Sequence, residues 1–397
     1  MITLQSAEKA LKDVYLDVVA NQLNMNANPL LGKIKQTTSD VWGKKIIKAI
    51  SFGINGGIGA GAEDGLLPEA SGTSYLNFQA ELKNLFGKIE ISDKAIRSST
   101  TNTGAFVNLL NNEMENLIKS SSFNLGRMLY GDGSGVLTTI DTTTTSEEQG
   151  QKTYRVTSTN KLMEGMVVNF VNKTTGEVVS GANSKNKIVY VDRINKKVVF
   201  DKVSNISLTG NEGLVIQDSF GKEITGIGKI FSADSTLYGV DRGEHKWLNP
   251  YDITLNGEFS EIAMQEVLDL QEETYGTEVD FIACSANVRR MYQEYLNTFK
   301  RNIDVMELNG GYKAISYNGI PVVADRFVED GEMLFLNTKD FTLHQLCDWE
   351  WLQGDDGKIL KQNSNYATYS ATLVKYAELI CDRPCAQARL KGIVKTA

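Results

Sequence analysis

A glycine-rich run between two predicted strands is the feature that most constrains this fold. Residues 53–72 contain seven glycines: Gly53, Gly56, Gly57, Gly59, Gly61, Gly65 and Gly72. The flanking stretches 44–52 and 74–92 have the apolar alternation and β-branched content of strands. A structureless segment this long inside a compact domain usually has a function or is ordered by a partner. The sequence therefore predicts a long hairpin with a flexible tip.

The spacing of Gly57, Gly59 and Gly61 also invites a dinucleotide-binding interpretation. That motif needs a helix that opens at the third glycine and directs its amino terminus at a pyrophosphate. Residues 63–74 read as loop instead, so the loop interpretation is favoured and no cofactor is predicted.

The clearest helix is predicted over residues 103–130. Its apolar positions recur at helical spacing, Thr103 is a plausible N-cap, and the glycines of residues 131–135 supply a C-cap. The sequence Gly-Asp-Gly-Ser-Gly at 131–135 is typical of a turn. A phosphate-binding loop is disfavoured because the glycines follow a helix rather than precede one.

A small all-β module is predicted between this helix and the rest of the chain. Residues 136–150 are rich in threonine and read as a linker. From about 152 to 218, short strand signals recur with turns between them, including one at 176–181, and suggest a small antiparallel barrel or sandwich.

The remaining chain mixes helices and strands, which makes the whole an α+β protein. Residues 219–256 read as loop. A helix–strand–helix unit follows at 259–300, where Ser285 is a predicted N-cap and, with Asn287, the polar candidate at the strand's end. The last part is mostly strand, and Asp355–Asp356 lie in a predicted hairpin turn, a more economical interpretation than a calcium site.

Composition narrows the classes of function. The chain has 41 basic and 49 acidic residues, with a formal charge of −8. It has no concentrated basic block, which disfavours a dedicated nucleic-acid binder. It also has no long apolar run and no signal-peptide layout, so we expect a protein without membrane contact that begins life in a cytoplasm.

Residues that could support catalysis or bind metal are scarce. The four cysteines are Cys284, Cys347, Cys381 and Cys385, and the two histidines are His245 and His344. Cys381 and Cys385 lack a second pair that would complete a zinc site, so buried free thiols are favoured. Without a recognisable nucleotide, protease, kinase or hydrolase motif, the sequence predicts no catalytic residue and no enzyme.

The order of these elements resembles the major capsid protein of tailed bacteriophages, which has the Hong Kong 97-like fold. The resemblance covers nearly the whole chain and depends on the arm, the glycine-rich hairpin, the segment KIEISDKAIRSS before the long helix, and the closing strands through YNGIPVVADR and LICDRPCAQARLKGI. It implies domains with the following bounds: an N-terminal arm at 1–44, an extended loop at 45–92, a peripheral domain at 93–136 and 312–385 with spine helix 103–130, an inserted β-barrel-like module at 137–218, and an axial domain at 219–311 and 386–397.

The resemblance implies a shell subunit located in the virion. It would assemble with itself into hexamers and pentamers in the host cytoplasm and enclose double-stranded DNA without reading its sequence. Expected partners are a portal protein, a separate scaffolding protein and a decoration protein. Only about 44 residues precede the extended loop, so we predict no fused scaffold, and the family's Lys–Asn cross-link is not transferred to Lys83 or Lys88.

Two other classes of function stay open at this stage. One keeps the fold but changes the role, as in an encapsulin-type nanocompartment that holds a cargo enzyme. The other is a monomeric or small-oligomer enzyme or binding protein without a local motif. The glycines of the extended loop are hypothesised to act as a hinge because glycine tolerates large backbone changes.

Overall fold

The computed structural model describes residues 28–94, 103–148, 151–179, 185–201, 206, 208–299, 305–307, 313–354 and 357–394. Most of the predicted amino-terminal arm, residues 1–27, lies outside the described residues. Asp355 and Asp356 of the predicted hairpin turn also lie outside them.

The first half of the chain contains a ribbon, a long helix and a barrel. The elements before the barrel are β1 (Lys35–Thr37), β2 (Val41–Trp42), β3 (Lys45–Phe52), β4 (Ser74–Glu81), β5 (Lys83–Ser92) and α1 (Thr103–Leu129). The barrel strands are β6 (Val136–Glu148), β7 (Gln151–Val156), β8 (Val167–Asn172), β9 (Asn186–Asp192), β10 (Lys197–Asp201) and β11 (Glu212–Ile216).

The second half alternates helices with strands. It begins with α2 (Ile227–Ile230), β12 (Thr236–Leu237), β13 (Val240–Asp241), a 3-10 turn (Lys246–Leu248), β14 (Tyr251–Gly257), α3 (Glu261–Tyr275), β15 (Phe281–Cys284) and α4 (Ala286–Phe299). It continues with β16 (Val305–Glu307), β17 (Lys313–Tyr317), β18 (Ile320–Ala324), β19 (Met333–Leu336), a 3-10 turn (Thr338–Asp340), β20 (Phe341–Trp351), β21 (Lys361–Gln362), β22 (Thr368–Cys381), a 3-10 turn (Pro384–Ala386) and β23 (Ala388–Ile393).

These strands form several separate sheets and one closed barrel. One sheet has the order β1-β20-β22-β21, with β5 paired to the other edge of β22. A seven-stranded sheet has the order β14-β23-β19-β15-β18-β17-β16, and β2-β3-β4 form a three-stranded ribbon. The barrel closes in the order β10-β7-β6-β11-β8-β9 and has its own core, in which Tyr154, Phe170 and Phe200 pack together.

Helix α1 packs one apolar stripe against the sheet that contains β5 and β22. Met114, Ile118, Leu125 and Met128 are buried at spacings of four, seven and three residues, which places them on one helical face. The predicted helix is confirmed to within one residue at its carboxyl end. Thr103, the predicted N-cap, is the first residue of the helix. The predicted run of glycines follows the end of the helix, and Gly133 and Gly135 in it have a positive φ.

The helix–strand–helix prediction is confirmed, including Ser285 as the N-cap of the second helix. Ser260 Oγ accepts a hydrogen bond from the Ala263 amide at 3.1 Å, and Gly276 ends α3 with a φ of 58°. Ser285 Oγ accepts from the Val288 amide at 3.3 Å, so this hydroxyl serves as the cap of α4. Both helices therefore begin where the short polar side chain satisfies an otherwise unpaired amide.

The threonine-rich stretch after α1 is a strand, not the linker that the sequence predicted. Strand β6 is thirteen residues long and pairs with both β7 and β11. Threonine is β-branched and favours strands when neighbours pair on both sides. The strand predicted at 176–181 was also wrong, since among the described residues this segment forms only a bridge between Val171 and Val178 after the turn at Gly176.

Two further expectations differ from the structure. The single strand predicted over 74–92 breaks at Leu82: β4 stays in the ribbon while β5 joins β22. Alternating burial continues across the break, which is why the pattern alone did not reveal it. The predicted loop at 219–256 contains β14, which pairs in parallel with β23.

Candidate functional site

The ribbon formed by β3 and β4 is fixed firmly at its base. Eight residue pairs run from Lys45–Glu81 to Phe52–Ser74. The inner face buries Ile46, Ile50 and Phe78. Phe52 stacks on Trp247 at 5.3 Å, Phe78 contacts Tyr238 at 5.3 Å between ring centroids, and Lys48 Nζ pairs with Asp382 at 2.7 Å. The ribbon is therefore a stiff support anchored to residues 236–248.

Beyond this base, the tip of the hairpin projects with little of its surface covered. Ile54, Ile58, Leu66 and Leu67 are each between 80% and 98% exposed. Isolated exposed apolar side chains are ordinary, but four on one short loop form an apolar surface that a partner would cover.

The tip also carries one sign of charge. No lysine or arginine occurs from residue 49 to residue 82. Glu63, Asp64 and Glu69 lie at the end of the loop, and all three are exposed. The tip is thus both apolar and acidic, a combination that suits a surface with apolar and basic groups.

The structure places all seven predicted glycines on the projecting tip. Gly53 alone among them has a positive φ, at 73°. An added Cβ atom would lie 3.2 Å from the Ser71 amide nitrogen at Gly57 and 3.0 Å from Pro68 Cγ at Gly59, both on the opposite arm, whereas Gly72 has open space around it. Two of the glycines therefore let the arms of the tip approach closely, a role distinct from the hypothesised hinge, which stays a prediction.

A buried ion pair joins α1 to the segment that leaves the barrel. The two Arg127 Nη atoms donate to the two Glu223 carboxylate oxygens at 2.7 Å each. Next to this pair, a Cβ added to Gly226 would lie 2.2 Å from the Met128 carbonyl oxygen. Glycine is thus needed at 226 for the chain to pass under the end of the helix.

Three of the four cysteines and His344 are buried, whereas Cys347 and His245 are partly exposed. Burial raises the pKa of the Cys284 thiol to about 12 and that of Cys385 to about 11, and it also raises the pKa of Cys381. Burial lowers the pKa of His344, whose Nδ1 lies 3.3 Å from the Ser39 carbonyl oxygen. A thiol with a raised pKa is a poor nucleophile at neutral pH.

Glu378 is a buried carboxyl at the centre of the sheet that supports α1. Its Oε1 accepts hydrogen bonds from the Thr225 amide at 2.6 Å and the Leu379 amide at 3.0 Å. Burial raises the pKa of Glu378 to about 8, because a charge is poorly solvated there. The carboxyl is consequently protonated in the folded protein at neutral pH.

This raised pKa predicts how stability depends on pH. Unfolding returns the pKa of Glu378 from about 8 towards 4.5, so the unfolded chain releases a proton between these values. The contribution of Glu378 to the free energy of unfolding is fully present below pH 4.5 and is lost as the pH rises to about 8. Over this range the free energy of unfolding falls by up to about 1.4 kcal/mol per pH unit. Urea denaturation at several pH values should show this slope in the native chain and its loss in Glu378→Gln. The control Glu350→Gln, at an exposed position of β20, should keep it, and equal slopes in all three chains would contradict the assignment.

Within the described part of the chain, no cluster of three His, Cys, Asp or Glu side chains could hold a metal ion. None of the helices described could cross a bilayer, as each is too short or too polar. The projecting tip is therefore taken as the candidate site. The sequence located the glycines of the tip. The exposure of Leu66 and Leu67 became visible only in the structure, although the acidic residues at 63–69 were a signal of an exposed loop in the sequence.

The structure combines a ribbon fixed at its base, a long helix on a mixed sheet, and a separate seven-stranded sheet with flanking helices. This combination is an α+β fold of known type. This is the Hong Kong 97-like fold, and the resemblance predicted from the order of elements is confirmed.

A match with a solved structure at a TM-score above 0.5 supports the assignment of this fold. A chain in the capsid asymmetric unit of cyanophage A-1(L) matches with a TM-score of 0.52 and 12% identity, over 92% of this chain and 93% of that chain. The capsid of a native GTA particle matches with a TM-score of 0.48 and 10% identity, over 93% and 91%. The holo-SrpI encapsulin complex from Synechococcus elongatus PCC 7942 gives 0.45 and 10%, over 92% and 86%. No family model and no curated protein matches the sequence.

Proposed function

We propose that the protein is a shell subunit, the major capsid protein of a tailed double-stranded DNA bacteriophage. The observation that carries the proposal is the projecting tip, whose four exposed apolar side chains are held away from the body on a pinned ribbon. Such a tip is a poor element for a monomer, but it gains free energy when a neighbouring copy covers it. The assembled protein would form hexamers and pentamers of an icosahedral head in the virion.

The predicted domains fit this proposal. The ribbon and its tip would be the extended loop, α1 the spine helix of a peripheral domain, and the seven-stranded sheet with α3 and α4 the axial domain. The barrel β6–β11 would be an inserted module. Residues 1–44 would form the arm that embraces a neighbour, and a portal, a separate scaffolding protein and a decoration protein would be further partners.

The charge balance suits a shell around DNA and a role without catalysis. A formal charge of −8 keeps the subunit from binding strongly to phosphates, so that the genome could enter and leave. The buried thiols and the buried His344 have structural roles, and we assign no reaction to them.

Size is the direct test of the proposed function. The chain would be expressed alone and with a scaffolding partner, then studied by sedimentation and negative-stain microscopy. Closed shells, tubes or rings of five or six copies are expected. A sharp 43.8 kDa monomer in both preparations would contradict the proposal, and protein cargo instead of nucleic acid in native particles would indicate a nanocompartment.

The glycines of the tip give a prediction about changes of shape during assembly. Gly61→Ala/Gly72→Ala stiffens the backbone without a close contact, since the nearest atom to an added Cβ is 3.5 Å away at Gly61 and beyond 4 Å at Gly72. If the glycines act as a hinge, this variant should form initial shells but expand about tenfold more slowly, because alanine restricts backbone freedom. Light scattering and microscopy during expansion would measure it.

A second variant distinguishes two roles of the glycines, the role as a hinge and the role of letting the two arms of the tip approach closely. Gly57→Ala/Gly59→Ala places Cβ atoms 3.2 Å from the Ser71 amide nitrogen and 3.0 Å from Pro68 Cγ and should disturb the shape of the tip in the initial shells as well. Unchanged expansion in Gly61→Ala/Gly72→Ala would refute the hinge.

A further inference from the structure

Asparagine followed by glycine is a reactive pair that the proposed function does not use. It occurs four times, at Asn55, Asn256, Asn309 and Asn318. Asn309 lies outside the described residues, and the other three asparagines are exposed. In such a pair the backbone nitrogen of the glycine can attack the carboxamide carbon of the asparagine, because glycine has no side chain to hinder the approach. Exposure does not separate the three described sites, so the backbone around each decides whether it reacts.

The pair at Asn318 is held in a tight turn. Asn318 and Gly319 join β17 to β18 and have φ values of 49° and 78°, as a two-residue hairpin turn requires. The flanking residues Tyr317 and Ile320 are paired across the hairpin, and Asn318 Nδ2 donates a hydrogen bond to Gln265 Oε1 at 3.0 Å. The turn and the carboxamide are both fixed, so the Gly319 nitrogen is not free to move towards the carboxamide carbon.

The pair at Asn256 is held within a sheet. Asn256 belongs to β14, and Gly257 after it pairs with Ile393 of β23. The Gly257 carbonyl oxygen accepts a hydrogen bond from the Val394 amide at 3.1 Å. A Cβ added to Gly392 would lie only 3.0 Å from Asn256 Oδ1, so the carboxamide packs closely against β23. Sheet pairing again fixes the backbone at the point where it would have to rotate.

The pair at Asn55 has none of these restraints. It follows the last pair of the ribbon, Phe52–Ser74, in a stretch without helix or strand. Among the described residues, the Gly56 amide donates no hydrogen bond. The Gly57 amide donates to Asn55 Oδ1 at 2.9 Å, which curves the carboxamide back over the peptide that links residues 55 and 56. The same donor stabilises the oxygen that gains negative charge when a nucleophile adds to the carboxamide.

We propose that Asn55 is a site of spontaneous modification, at which the carboxamide is converted to a carboxylate without an enzyme. The Gly56 nitrogen attacks Asn55 Cγ. The bond between these two atoms forms, the bond from Cγ to Nδ2 breaks, and ammonia leaves with the proton that the Gly56 nitrogen gives up. Water then opens the cyclic imide at either of its carbonyl carbons. One product is aspartate, and the other is isoaspartate, in which the backbone runs through the side-chain carbon.

The modification would change both the charge and the path of the tip. Either product adds a carboxylate to a loop that already carries Glu63, Asp64 and Glu69. Isoaspartate also adds an extra carbon to the backbone near the point where the loop leaves the ladder. The free subunit would therefore age at the root of its tip. This chemistry needs no second copy, so the inference goes beyond the proposed function and does not depend on it.

Peptide mapping by mass spectrometry tests the site in the full, unassembled chain during incubation at neutral pH. Conversion at Asn55 should be about tenfold or more faster than at Asn256 and Asn318, because only Asn55 can reach the geometry of attack without breaking a fixed structure. Both aspartate and isoaspartate are expected at position 55. In urea the three rates should converge, since unfolding removes the restraints at the other two sites.

One variant and its matched control test the mechanism. Gly56→Ala should slow conversion about tenfold or more, because its Cβ hinders the attacking nitrogen. The nearest atom to this Cβ is Ser71 Oγ at 3.2 Å, the end of a small side chain that can rotate away, so the ribbon should keep its fold. Gly61→Ala places the same methyl group elsewhere on the tip and should leave the rate unchanged. Asn55→Gln should stop conversion at this position, since the longer side chain forms a ring far more slowly.

Several results would overturn the inference. They are no conversion at Asn55, equal rates at the three sites in the folded chain, and an unchanged rate in Gly56→Ala. Aspartate without isoaspartate would indicate direct hydrolysis and overturn the cyclic intermediate. If Asn55 were also the fastest site by the same factor in urea, the structure of the loop would not be the cause. Failure of the chain to assemble would contradict the proposed function alone, because these rates are measured on the unassembled subunit.

Discussion

Replacing Arg127 with alanine should lower the free energy of unfolding by about 3–5 kcal/mol. The two side chains of the Arg127–Glu223 pair are only 3% and 5% exposed, and two hydrogen bonds of 2.7 Å join them. Removing the guanidinium leaves the Glu223 carboxylate buried without its countercharge, which costs more than the pair itself contributes. Urea denaturation of the unassembled subunit would measure the change.

Two controls make this prediction specific. Lys161→Ala removes a pair of similar length, 2.9 Å to Glu329, but Glu329 is 49% exposed, so we expect a loss of only about 1 kcal/mol or less. The double variant Arg127→Met/Glu223→Leu should recover most of the lost stability, because no unpaired charge stays buried. A loss for Arg127→Ala no greater than for Lys161→Ala would contradict the assignment.

This ion pair matters because it holds the end of α1 against the segment that leaves the barrel. That segment continues through Gly226, whose closeness to the Met128 carbonyl oxygen leaves no space for a side chain. The barrel, the long helix and the sheet of β22 are therefore joined at one compact junction. Loss of the pair should loosen this junction as well as the subunit core.

Local chemistry made several elements predictable from sequence. The apolar stripe of α1, the Ser285 cap and the end of α3 at Gly276 depend on residues close by in the sequence. The glycine-rich tip was predictable for the same reason, since a dense run of glycines is incompatible with a regular strand or helix. The candidate site was thus located before the structure was known, although its exposed leucines and acidic side were not recognised as its binding chemistry.

What the sequence did not reveal depends on distant partners. Strand β6 looked like a linker because threonines in isolation favour several conformations, and only pairing with β7 and β11 makes them a strand. Arg127 and Glu223 are 96 residues apart, and no local pattern connects them. The strand breaks at Leu82 because β5 pairs with β22, a strand that is distant in the sequence, and does not continue in the ribbon.

Replacing both tip leucines with serine, Leu66→Ser/Leu67→Ser, should reduce assembly about a hundredfold while leaving the subunit folded. The two side chains are 98% and 88% exposed, so the folded monomer loses almost no buried contact when they change. In a shell each copy would bury both leucines, which contributes about 1.5–3 kcal/mol per side chain. Two such losses correspond to roughly a hundredfold or greater weakening of each contact. Sedimentation would measure assembly, and thermal denaturation of the monomer would confirm that the fold is unchanged.

The control compares this site with another exposed apolar residue. Ile194 is 92% exposed, yet it lies on the turn between β9 and β10 of the barrel and not on the tip, so Ile194→Ser should assemble like the native chain. If exposed apolar area alone drove association, both variants would weaken assembly by similar amounts per side chain. If the tip variant instead assembled normally, the projecting hairpin would not be the contact that holds the shell together. If only the tip variant were defective in assembly, the two leucines would be the groups that each copy presents to the next. The ribbon supports them, and the charge of the loop accompanies them.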